Sequence, residues 1–194
     1  MTVGGAPPIP DGPFVGRNFL PPLALARILD ALDRLSASWN ASDALGLLGR
    51  GQTGQIRATS LAAQTQLDRI RLEIAPAALQ WAKTCGFWFP TAPQLQLFPV
   101  RMVGDASEPA FQEPHTDSHA GQPGPPICTN VFYARARGVV GGDLALAPRV
   151  GPGDAEPIVV KPSPNTIVSF RGDRVHWVLP LLAGERLSLV INFY

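Results

Sequence analysis

The chain has 194 residues, 45% of them apolar and 16% charged, and a formal net charge of +1. That length suits one domain with a sizeable core. The near-neutral balance, without a Lys/Arg cluster, excludes nucleic acid and an anionic membrane surface as partners, and no apolar run reaches the ~20 residues that span a bilayer.

In chain order, residues 1–20 are rich in Pro and Gly and read as an irregular arm. They carry no basic segment followed by an apolar core, so no secretory signal is expected. Residues 21–90 read as a helical support region. Leu25, Ile28, Leu29, Leu32 and Leu35 recur at helical spacing behind Pro21 and Pro22, where proline suits a first turn. The glycine-rich stretch 40–58 reads as a loop. A second helix is expected over 60–74, and a short third one from Pro76 to Cys85, closed by Gly86. Cys85 and Cys128 form neither a disulfide framework nor a CxxC pair, which fits a reducing, cytoplasmic setting.

The texture changes near Phe87. Short β-type runs follow at 94–103, 110–117, 127–135, 142–147, 157–161, 165–170, 174–180 and 186–193, separated by turn residues. So many short strands within about 100 residues predict a mainly β fold, a two-sheet jelly roll over 91–194. The helices would buttress one face, within one compact domain overall.

Residues 111–119 read FQEPHTDSH. On a strand, residues two apart share a face, so His115 and Asp117 would project together. His176, on a later strand, supplies a third donor. Two histidines and one carboxylate make the facial triad of non-haem Fe(II) oxygenases, which leaves coordination positions open. Arg186 and Ser188 follow His176 in the pattern H-x9-R-x-S. If 174–180 and 186–193 pair as a hairpin, Arg186 lies beside the strand of His176. Its guanidinium can grip a carboxylate in two parallel hydrogen bonds, and Ser188 faces the same way. Such a pocket suits the far carboxylate of a keto acid that chelates the metal.

These residues, with the strand CTNVFYA at 128–134, GGDLAL at 141–146 and the run PNTIVSFRGDRVHWVLPLLAGERLSLVINFY, resemble the 2-oxoglutarate/Fe(II)-dependent dioxygenase superfamily, nearest its prolyl 4-hydroxylase-like branch. The resemblance covers about 90–194. It implies a double-stranded β-helix, with His115, Asp117 and His176 holding Fe(II). Arg186 and Ser188 would hold the C5 carboxylate of the cosubstrate 2-oxoglutarate, and O2 would be the oxidant. The family often has a tyrosine near the end of the strand before HxD; here Arg101 or Met102 stands there. Tyr133 could supply a phenol from a core strand instead.

Arg101, Glu113, His119 and Trp177 are the candidate substrate contacts, and no catalytic group is expected beyond the iron centre. HTDSH is a poor zinc-hydrolase motif, since Thr116 stands where the HExxH pattern needs Glu. The loops Gly104–Pro114 and Ser118–Pro126, with parts of the arm, are expected to form a lid. The function implied is hydroxylation of an unactivated C–H bond of a small molecule, an amino acid or specialised-metabolite intermediate, by a bacterial enzyme that releases succinate and CO2. The alternatives are a peptidyl hydroxylase of the prolyl type and, more distantly, a non-catalytic jelly-roll binding module.

Overall fold

The computed structural model describes residues 10–35, 40–41, 52–55, 61–118, 124–148 and 156–194. Helix α1 spans Pro22–Leu35 and buries Ile28, Ala31, Leu32 and Leu35, the apolar stripe read from the sequence. Helix α2 spans Leu61–Thr84 without a break, although Pro76 lies inside it. Two helices divided at Pro76 were the expectation. Proline removes one backbone hydrogen bond and crowds the preceding turn. Ile70, Ile74, Ala78 and Ala82, four residues apart on both sides of Pro76, are nonetheless all buried. Packing of that continuous stripe outweighs the local defect. The helix stops where Gly86, at φ 91°, turns the chain. There Phe87 N–H donates to the Ala82 carbonyl and Gly86 N–H to that of Lys83, a Schellman closure.

The described residues form ten strands, all paired antiparallel. They are β1 (Phe14–Arg17), β2 (Asn40–Ala41), β3 (Gln52–Gln55), β4 (Leu95–Val103), β5 (Ala110–His115), β6 (Cys128–Gly141), β7 (Leu144–Leu146), β8 (Ile158–Val160), β9 (Thr166–Phe170) and β10 (His176–Phe193). The protein is therefore mainly β with two helices among these residues. Two expectations change here. Part of the supposed arm is β1, which pairs with β9. The supposed loop 40–58 contributes β2 and β3, which pair with each other, and β3 extends the sheet beyond β4.

Strand β10 organises the sheet. Its second half lies between β4 and β6, in the order β1-β9-β6-β10-β4-β3-β2. Its first half pairs with β5 on one side and with β7, and through β7 with β8, on the other. The runs 174–180 and 186–193 are thus one strand of 18 residues, not a hairpin. Register shifts between Leu181 and Ser188 bend it from one set of partners to the other. In the second half the side chains alternate cleanly. Leu187, Leu189, Ile191 and Phe193 join the core beneath the helices. Arg186, Ser188, Val190 and Asn192 occupy the other face.

Helices and sheet are also pinned by polar groups. The Trp81 indole N–H donates to Ser169 Oγ at 2.9 Å, and Ser169 Oγ to Asn130 Oδ1 at 2.5 Å. The Asn130 amide then donates to the Ile191 carbonyl at 3.0 Å. Asn130 and Ser169 are fully buried. Asn130→Ala strands Ser169 Oγ and the Ile191 carbonyl in a water-poor place, so a loss of about 2–4 kcal/mol is expected in denaturant unfolding. An unchanged midpoint would show that the chain of bonds contributes nothing.

Candidate metal and cosubstrate site

His115 ends β5 and His176 begins β10, and the two are directly paired across the strands. Their rings lie 4.4 Å apart. Asp117 lies two residues beyond β5, where the chain has left the strand. Its Oδ1 is 3.9 Å from His115 Nε2 and 3.7 Å from His176 Nε2. One nitrogen from each ring and one carboxylate oxygen fall within 4.8 Å of one another. These are spacings that a single ion can bridge from the centre.

The surroundings orient all three groups. His115 Nδ1 is 2.7 Å from the Glu113 carbonyl and His176 Nδ1 is 3.0 Å from that of Arg174. With Nδ1 donating, each ring turns a Nε2 lone pair toward Asp117. Thr129 Oγ1 donates to Asp117 Oδ2 at 3.0 Å, which leaves Oδ1 facing the histidines. Phe170 packs edge-on against His176 at 4.9 Å. Burial lowers the pKa of His176 below its ordinary value, against the pull of Asp117, and so favours the neutral, ligating imidazole. Thr129→Val removes the donor that fixes the carboxylate. Metal affinity is expected to fall about tenfold, measured by anaerobic Mn(II) titration; equal affinity would mean that Asp117 needs no such support.

A second, cationic patch lies on the same β10. Arg186 is buried, and its guanidinium donates to the Gly142 carbonyl at 3.0 Å. The same group sits 4.9 Å from the centroid of the Tyr133 ring. The turn that aims this carbonyl depends on Gly141, at φ 77°, where an added Cβ would sit 2.1 Å from the Pro180 carbonyl oxygen. Ser188 Oγ, also buried, lies 3.5 Å from the Val100 carbonyl. Arg186 Nε and the Tyr133 hydroxyl have no hydrogen-bond partner. Burial pulls the Arg186 pKa down and pushes that of Tyr133 up. A buried cation with free donors beside an unpaired phenol is a receptor for a carboxylate. The donor set thus fits both a divalent metal and a dianionic acid reaching toward it.

Other expected contacts are not brought to this group. Arg101 is opposite Leu187, on the face away from Arg186, and its Nε donates to Glu185 at 2.8 Å. Met102, not Arg101, is opposite Arg186. Trp177 is paired with Ala145, whereas the flanking His176 and Val178 share a face with Leu146 and Leu144; its ring therefore points out of the group. Glu113 is exposed and serves the site through its carbonyl instead. His119 and most of the expected lid segment 118–126 lie outside the described residues. Sequence reasoning missed Thr129. Thr129, Val131 and Tyr133 alternate along the quoted strand, so period-2 counting would have found it.

No protein-family model matches the sequence, and no curated protein matches it. Solved structures do. A prolyl 4-hydroxylase from Pseudomonas putida aligns at 21% identity over 94% of this chain and 92% of its own, with a TM-score of 0.57. An oxidoreductase of the 2OG-Fe(II) oxygenase family from Burkholderia pseudomallei aligns at 21% over 94% and 85%, with a TM-score of 0.60. The fold is that of the 2-oxoglutarate/Fe(II) oxygenases. A viral collagen prolyl hydroxylase from Paramecium Bursaria Chlorella virus-1, solved in a 2OG complex, shares it at 12% identity over 93% of each chain, with a TM-score of 0.60. The alignments cover 93–94% of this chain and so extend beyond 91–194. No described helix is long and apolar enough to cross a membrane.

Proposed function

We propose that the chain is an Fe(II)- and 2-oxoglutarate-dependent dioxygenase of the prolyl 4-hydroxylase-like branch. It hydroxylates an unactivated C–H bond of a small molecule and releases succinate and CO2. Its core, 91–194, is a double-stranded β-helix backed by the helices of 21–90. The observation that carries this reading is the pairing of a three-donor cluster with a buried, unsatisfied Arg186 inside one oxygenase fold.

Iron, with O2 and 2-oxoglutarate, would supply the oxidising chemistry. The chain's own residues do the rest. His115, Asp117 and His176 would hold the metal, each with one donor atom. Thr129 and the carbonyls of Glu113 and Arg174 fix the donor atoms before the metal arrives, so little reorganisation accompanies binding. Arg186 neutralises the far carboxylate of the cosubstrate, Ser188 donates to it, and the Tyr133 phenol lies where it can donate too. Phe170, Val168, Leu144 and Leu146 form an apolar wall that keeps bulk water from the oxidising centre.

The second reading, a prolyl-type peptidyl hydroxylase, is favoured by the names of the similar structures, one of them a prolyl hydroxylase from Trichoplax adhaerens in complex with a peptide fragment. Succinate release with Fe(II) and 2-oxoglutarate separates them. Free amino acids are expected to raise it several-fold over the substrate-free rate. Stimulation by proline-containing peptides alone establishes the second reading, and no succinate under any condition contradicts both.

A further inference from the structure

Strand β9 ends at Phe170 and β10 begins at His176, so residues 171–175 present a metal ligand from the end of a loop. A loop holds a donor atom in place only when its own backbone is held. Here it is gripped from three sides. A Cβ on Gly172 would sit 2.2 Å from the Pro126 carbonyl oxygen, so the loop lies directly against the chain entering β6. The Ala147 N–H, just past β7, donates to the Val175 carbonyl at 2.9 Å. The third grip is the side chain of Arg174.

Arg174 is 5% exposed. Its Nε donates to the Ala147 carbonyl at 3.0 Å, and its guanidinium also reaches the carbonyls of Asp11 at 3.0 Å and Gly12 at 2.6 Å. One planar fork thus joins the stretch before β1, the exit of β7 and the loop before β10. The main chain of the same residue is equally committed. Its N–H donates to the Arg171 carbonyl at 3.1 Å, and its carbonyl faces His176 Nδ1 at 3.0 Å. The guanidinium therefore anchors the very residue whose carbonyl sets the His176 ring, while Phe170 packs edge-on against that ring. His115 uses the carbonyl two residues before it in the same way, but that carbonyl belongs to Glu113, which is exposed.

We propose that Arg174 is the positioning residue for the metal ligand His176. It locks the peptide between residues 174 and 175, so that His176 carries its proton on Nδ1 and turns its Nε2 lone pair toward the metal. Through Arg174 the stretch at Asp11–Gly12 belongs to the support of the metal site, although it lies more than 160 residues away in sequence. The inference rests on the metal reading above, and its first test needs no metal.

Nitrogen NMR of the metal-free protein with 15N-labelled histidine reads the His176 tautomer, in a chain with only three histidines. The parent is expected to show one neutral form, protonated at Nδ1. In Arg174→Met the loop loses its fork, and both tautomers should appear. Mn(II) affinity, measured anaerobically by electron paramagnetic resonance, should fall about ten- to a hundredfold, as for a lost partner behind a ligating histidine. Arg174→Lys keeps the cation but not the fork, and should fall between the two proteins in both readings. It also serves if the methionine variant does not fold. Ile28→Ala opens a cavity in the core of α1. That variant should melt at a lower temperature, yet keep one tautomer and Mn(II) affinity within about twofold of the parent. A single Nδ1 tautomer with parent-like Mn(II) affinity in the arginine variants overturns the proposal. So does an equal loss in Ile28→Ala, which would make Arg174 a stability residue alone. If the parent binds no Mn(II), the metal reading fails, and the tautomer comparison by itself decides whether Arg174 sets the ring.

Discussion

His176→Ala is expected to weaken metal binding by more than about a hundredfold and to abolish succinate formation. Loss of a second-sphere partner alone typically costs ten- to a hundredfold in affinity, and His176 is one of only three donors. The fold should survive. His176 begins β10, its ring packs edge-on against Phe170, and the nine residues from Glu185 to Phe193 keep their pairing with β4 and β6. A melting temperature within a few degrees of the parent, measured without metal, separates lost ligation from lost structure. Anaerobic Mn(II) binding followed by electron paramagnetic resonance reads the effect directly. Parent-like affinity in this variant would exclude His176 as a ligand.

Arg186→Met carries the second large effect, and its sign differs between the free and the loaded protein. In the free protein Arg186 is a buried cation with one hydrogen bond to a neutral carbonyl and an aromatic ring beneath it. A buried charge without a full set of partners opposes folding. Methionine, which keeps the apolar stem, should leave the metal-free melting temperature equal or raise it. With cosubstrate the order reverses. A ligand at a hundred times its dissociation constant stabilises a protein by about 2.7 kcal/mol, roughly 5–10 °C for a domain of this size. The parent should show that increment with 2-oxoglutarate and metal, and the variant should lose it while still binding Mn(II). A variant that destabilises the free protein yet keeps the full increment would assign Arg186 to the core instead of the cosubstrate.

The grouping of His115, Asp117 and His176 was legible because histidine is rare in this chain: there are three in all, and two of them gather around Asp117. Strand alternation was not the reason, since Asp117 lies two residues beyond the end of β5. The continuity of β10 was not legible. Pro180 and Gly184 lie within it and read as the turn of a hairpin. In the folded chain, register shifts absorb the irregularity, and both halves gain partners on each side. Local punctuation lost to pairing there, as it lost to the stripe of buried residues around Pro76 in α2. The placement of Arg101 and Trp177 shows a related effect. Their sequence neighbourhood placed them near the pocket, but register put each on the opposite face, and one residue of offset reverses every side chain on a strand. Thr129 was passed over because a threonine among apolar neighbours resembles an ordinary strand residue; its burial and its hydrogen bond to Asp117 separate it from that.

The central claim, that His115, Asp117, His176 and Arg186 together hold iron and 2-oxoglutarate, is tested most directly by mixing the protein with both in the absence of oxygen. A broad visible metal-to-ligand charge-transfer band is predicted, requiring iron and the keto acid together and disappearing when air is admitted as succinate forms. No band, and no succinate on admission of air, would contradict the account.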